Sequence, residues 1–96
     1  MQKIDCLKEI ESLRNEISGI DSKILSLAGR RTALAKKIGV LKAEAGLEII
    51  DKKREEAVKQ RYRDAALEAS VSAECAEALA EVMITEGRCV QQELRK

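Results

Sequence analysis

Histidine, proline, phenylalanine and tryptophan are all missing from this 96-residue chain, and tyrosine occurs once, at Tyr62. Without histidine the commonest general base and the commonest metal ligand are gone. Without proline no helix need be broken from within. Without aromatic platforms, stacking on single-stranded nucleic acid is excluded as a mode of binding. Charge of one sign is missing too: 18 Lys and Arg stand against 17 Asp and Glu, a net +1. No global field therefore favours nucleic acid as a partner. No run of about 18 apolar residues is present, so no transmembrane helix is expected. The polar start MQKIDCLKEIE predicts no signal peptide. The three cysteines, Cys6, Cys75 and Cys89, are odd in number, widely spaced and match no zinc or redox motif. Reduced thiols in a cytoplasmic protein, mostly buried as small apolar groups, are the expectation.

What remains is 45% hydrophobic and 36% charged, a balance that suits a solvated helical protein rather than a membrane span or a disordered chain. The length predicts one domain, 1–96, near the small end for a self-sufficient core. That core must come from Leu, Ile, Val and Ala. It is thin for a monomer, so oligomerisation is expected.

An apolar stripe runs Leu13, Ile17, Ile20, Ile24, Leu27, Leu34, Ile38 and Leu41. Its intervals alternate four and three except for one gap, which Arg31 fills. Such a seam predicts a helix whose partner is another helix. Helix 1 is placed at about 5–45, with Gly46 as its stop. Gly39 inside it costs about 1 kcal/mol relative to alanine and points to close packing or a nearby ligand. Asp51 and Ser72 suit N-caps, which places helix 2 at about 52–68 and helix 3 at about 73–94. The inner side of helix 2 is expected at Ala57, Val58, Tyr62, Ala65 and Ala66. That of helix 3 is expected at Cys75/Ala76, Leu79, Val82/Met83, Glu86, Val90 and Leu94. The fold class is all-α: one long helix and two shorter ones. A helix of about 40 residues spans about 60 Å, more than two short helices can cover. A second copy of the long helix would make a symmetric dimer.

Several polar residues look misplaced. Arg31 and Lys42 are eleven residues apart, three turns and about 16 Å along one face. A cation on a core-facing stripe is costly unless something negative meets it. Together they suggest a pocket for a small, doubly negative ligand. The bland alternative pairs Arg31 with a glutamate across the seam and lets Lys42 snorkel. Arg14 lies about 26 Å before Arg31 on a straight helix. It can share the pocket only if two antiparallel chains interlock, and otherwise it is a solvated surface residue. Asp51, Arg54 and Glu55 form D-x-x-R-E, which an ordinary charged first turn also explains. Gln91 is either a half-buried donor or a surface glutamine.

Taken in order, L-R-x-E-I-x-x-I-D-x-x-I-L-x-L (13–27), R-x-x-L-A-x-x-I-G-x-L-K (31–42), D-x-x-R-E (51–55) and Gln91-Gln92 resemble the all-α class of chorismate mutases over nearly the whole chain. The resemblance implies an intertwined homodimer with two equivalent sites that convert chorismate to prephenate, toward phenylalanine and tyrosine. It implies no cofactor and no metal. Arg14 from the partner chain and Arg31 would bind the two carboxylates. Lys42 and Gln91 would contact the ether oxygen of the breaking bond. Asp51 and Glu55 would lie near the ring hydroxyl, with Arg54 lining the pocket. One position departs: where the family often has a hydroxyl residue aiding a carboxylate, this chain has Gly87. A water or the Gly87 backbone would substitute. Two rivals stand beside this reading, an isochorismate-pyruvate lyase, whose pattern D-x-x-R-E fits less well, and a non-catalytic helical dimerisation module. The length leaves no room for an attached dehydratase, dehydrogenase or regulatory domain, so a monofunctional chain is expected.

Overall fold

A computed structural model of the chain describes residues 2–96. Among them are three helices, α1 Lys3–Glu44, α2 Lys52–Ala69 and α3 Ala73–Glu93, the all-α class that the periodicity predicts. The chain divides into two compact units, Met1–Arg31 and Thr32–Lys96.

The first unit is helical from Lys3 onward. Its apolar residues are open to solvent along their length: Leu13 is 49% exposed, Ile17 55%, Ile24 50% and Leu27 58%. One helix cannot bury its own stripe, because the residues that make it all point the same way.

The second unit holds the last turns of α1 with α2 and α3. Gly46 at φ 71° ends α1 in a Schellman motif. The Leu47 N–H donates to the Lys42 carbonyl at 2.8 Å and the Gly46 N–H to that of Ala43 at 3.2 Å. These are two of the carbonyls that a helix end would otherwise leave unmet. Asp51 caps α2, its Oδ1 accepting from the Arg54 N–H at 3.0 Å, and Ser72 caps α3 by accepting from the Cys75 N–H at 3.1 Å. Such caps contribute about 1 kcal/mol each.

Helices α2 and α3 pack on each other through small side chains. Ala66, Ala76, Ala80 and Ile84 form the buried apolar set. The α3 stripe keeps Ala76, Met83 and Val90 of the expected one and departs from it elsewhere. Ala76, Ala80, Met83/Ile84, Gly87 and Gln91 turn inward. Leu79 and Val82, expected inside, are 43% and 59% exposed, and Cys75 and Glu86 are exposed as well. On α2, Ala57 and Ala65 are exposed while Val58, Tyr62 and Ala66 are covered. The physical reason is distance: alanine against alanine lets two backbones approach closely, and a leucine in the same place would hold them apart. Across the seam Lys59 meets Glu81 at 2.7 Å and Arg63 meets Glu77 at 3.5 Å, with both glutamates 58% exposed. Exposed pairs of this kind contribute about 0–1 kcal/mol each.

Ser70, which follows α2, is the one non-glycine residue at positive φ among those described, at 57°. A Cβ in that conformation costs about 1 kcal/mol, and glycine carries no such cost. Ser70→Gly is therefore expected to stabilise the chain by up to about 1 kcal/mol, read as a higher urea midpoint at fixed protein concentration. A lower midpoint would contradict the left-handed stop.

Candidate active site

At Gly39, α1 and α3 come close together. It is buried, and a Cβ placed on it would fall 2.7 Å from the Gln91 Cγ and 3.0 Å from the Leu94 Cδ1. The helix therefore accepts the propensity cost of a glycine in return for the approach of a glutamine side chain. Gln91 is 7% exposed and held at both ends of its amide. Its Nε2 donates to the Ala35 carbonyl at 2.9 Å, and its Oε1 accepts from Lys42 Nζ at 3.4 Å. A primary amide has two N–H groups, so after Ala35 one is left to donate elsewhere.

Lys42 is half-buried and aimed. Beyond Gln91 its Nζ donates to the Ile49 carbonyl at 2.7 Å. An ammonium has three protons, and with two committed the third has a fixed direction. The connector after α1 is held by cations at two of its carbonyls, since Arg95 Nη2 donates to the Leu47 carbonyl at 2.6 Å.

The acidic segment sits at the start of α2. Asp51 is exposed and caps the helix, and Arg54 is exposed. Glu55 is half-buried and paired: Arg88 Nε donates to its Oε2 at 2.8 Å and Arg88 Nη2 to its Oε1. The Arg88 hydrogen bonds hold the Glu55 carboxyl below its usual 4.5, and the charges of Arg88, Lys59 and Lys42 add to this against the opposing effect of burial. Glu55 in turn raises Arg88. Gly87 lies beside this pair, and a Cβ there would meet only Ala35 Cβ, at an ordinary 3.7 Å.

Within the second unit, then, Lys42 joins Gln91, and Glu55 joins Arg88. Asp51 and Arg54 join each other through the cap, and Gly87 precedes Arg88 on α3. In the first unit Arg14 is exposed and Arg31 half-buried. Sequence reasoning gave Arg88 no part of its own. The signal was there: a cation one turn before Gln91, on the same face of α3. A separate open groove between α2 and α3, lined by Glu56, Lys59, Arg63, Glu74, Glu77 and Glu81, carries charges that largely pair among themselves.

The family model for chorismate mutase type II matches residues 13–92. The chain belongs to the chorismate mutase type II family, which makes it an isomerase of aromatic amino acid biosynthesis. Among curated relatives, a chorismate mutase of Methanocaldococcus jannaschii is 28% identical over 87 residues, 91% of this chain and 88% of that protein. An intracellular chorismate mutase of Mycolicibacterium smegmatis is 38% identical over 64 residues, 67% of this chain and 62% of that protein. A bifunctional chorismate mutase/prephenate dehydratase of Aquifex aeolicus is 45% identical over 49 residues, 51% of this chain and 14% of that protein. No solved structure gave a significant match.

Gly39→Ala tests the close approach. The methyl gains about 1 kcal/mol of helix propensity and loses about 1–3 kcal/mol by driving Gln91 from its place. A net loss of about 1 kcal/mol is expected, measured by urea denaturation. A variant more stable than the parent would mean that Gln91 yields freely.

Proposed function

We propose that Lys42 and Gln91 form the catalytic donor pair for the rearrangement of chorismate to prephenate, with Arg31 and a partner chain's Arg14 binding the two carboxylates of the substrate. The single observation that carries this reading is the Lys42–Gln91 contact over Gly39: two donors held in place by backbone carbonyls. The rearrangement is intramolecular, with no proton transfer and no covalent intermediate. It asks a site to hold a dianion with its side chain folded over the ring. It also asks for fixed donors where negative charge grows on the ether oxygen as the C–O bond breaks. Lysine's point charge suits one oxygen, and arginine's planar fork suits a carboxylate. Glu55 accepts from the ring hydroxyl, Asp51 lies nearby, Arg54 lines the pocket, and the space at Gly87 admits a water beside a carboxylate.

The active species is a homodimer with Arg14 acting in trans. Support comes from the first unit, whose open stripe of Leu13, Ile17, Ile20, Ile24 and Leu27 has the spacing of an interhelical seam. A cytoplasmic location agrees with the Mycolicibacterium relative, named intracellular. No helix among the described residues is long and apolar enough to cross a membrane.

Arg31→Ala and Lys42→Ala are each expected to lower kcat/KM at least about 10²-fold in a prephenate-formation assay. Arg14→Ala and Lys42→Ala chains, mixed and re-equilibrated, should recover activity. Half of the dimers are then mixed, and each has one intact site, giving roughly a quarter of the wild-type rate. A mixture no more active than its parts would place Arg14 in its own chain's site or in none.

A further inference from the structure

One cation near the proposed site has no part in the reading above. Arg88 grips Glu55 with two different nitrogens on two different oxygens. The side chains are 38% and 17% exposed, so the pair is half withdrawn from water. A fork of this kind fixes the plane of a carboxylate as well as its charge. A lone lysine in the same place would fix only the charge. The pair also joins two helices, since Glu55 is in the first turn of α2 and Arg88 is on α3 next to Gly87.

The charged groups facing Glu55 come from all three helices: Arg88 from α3, Lys59 from α2 itself and Lys42 from α1, with Glu81 acting on Arg88 from α3. The three cations favour the ionised carboxyl. Arg88 alone also bonds to it. Each carboxylate oxygen keeps a lone pair after accepting one N–H, so the paired Glu55 can still accept from a further donor at either oxygen.

We propose that Arg88 is a positioning residue: it turns Glu55 into an oriented acceptor, so that the site selects a ligand offering a hydrogen-bond donor, the ring hydroxyl, at that place. The proposal rests on the chorismate reading above. It makes Arg88 act through Glu55 and not on the substrate. Without the fork, Glu55 is free to rotate, and burial raises its proton affinity with less to oppose it. The loss should then be modest where Glu55 stays ionised and larger as pH falls.

The experiment uses the full chain as wild type, Arg88→Met, Arg88→Lys, Glu55→Gln and the Arg88→Met/Glu55→Gln double variant. Prephenate formation is followed from pH 5 to 8, with melting temperatures alongside. Arg88→Met should raise KM for chorismate about tenfold at pH 8 with kcat changed less, and KM should climb further toward pH 5. Arg88→Lys, which restores charge without the fork, should recover the pH dependence more fully than the KM. In the Glu55→Gln background, Arg88→Met should add no further loss. If Arg88→Met does not fold, a raised KM in a folded Arg88→Lys carries the proposal, and an unchanged KM there overturns it. Wild-type KM in Arg88→Met at every pH would overturn it, as would an equal loss in the Glu55→Gln background. A wild-type chain inactive on chorismate overturns the functional reading instead, and is distinguished by that inactivity.

Discussion

The contact at Gly39 is the constraint from which the rest of the second unit follows. Only a residue without a side chain lets Gln91 lie against α1, where its amide reaches the Ala35 carbonyl. That bond sets the amide's direction and turns its oxygen toward Lys42. Lys42 is held from its other side by Ile49, which belongs to the connector that α1 enters through the Gly46 turn. A buried amide and a half-buried ammonium are costly to leave unmet. Each here is met by a backbone carbonyl and by the other. Neither bond is strong alone, but together they fix the directions of both side chains.

Much of this was legible in the sequence because it is local or periodic. The stripe from Leu13 to Leu41 has helical spacing, and Gly46, Asp51 and Ser72 are the residue types that helix ends require. Lys42 and Gln91 stood out as polar residues on apolar faces. Ser70 did not stand out, because a left-handed helix stop is usually signalled by glycine or asparagine, and serine carries no such signature. The register of α3 was misread for a related reason. Ranking by hydrophobicity picks Leu79 and Val82, which are exposed, and passes over Ala80, which is buried beside the expected Ala76. Arg88 was passed over because its partner lies 33 residues away, and pairing over that distance has no periodic signature.

Histidine is absent and its absence costs the chemistry nothing, because a chorismate mutase moves no proton. On the proposed reading the donors are a lysine, an amide and arginines, and none of them has to act as an acid or a base. The one carboxylate drawn into the group, Glu55, is held ionised by Arg88 below its usual range. Catalysis by such a set should be indifferent to pH where an acid–base site would not be.

That indifference depends on Gln91 being an amide, and replacing it by glutamate tests the idea most directly. A carboxyl group in its place can donate only when protonated. Wild-type kcat for prephenate formation should change little between about pH 5 and 8, while Gln91→Glu should be weak near neutrality and gain at least about tenfold toward pH 5. A Gln91→Glu variant with a flat profile at the wild-type rate would contradict the account, since Gln91 would then donate nothing to the reaction.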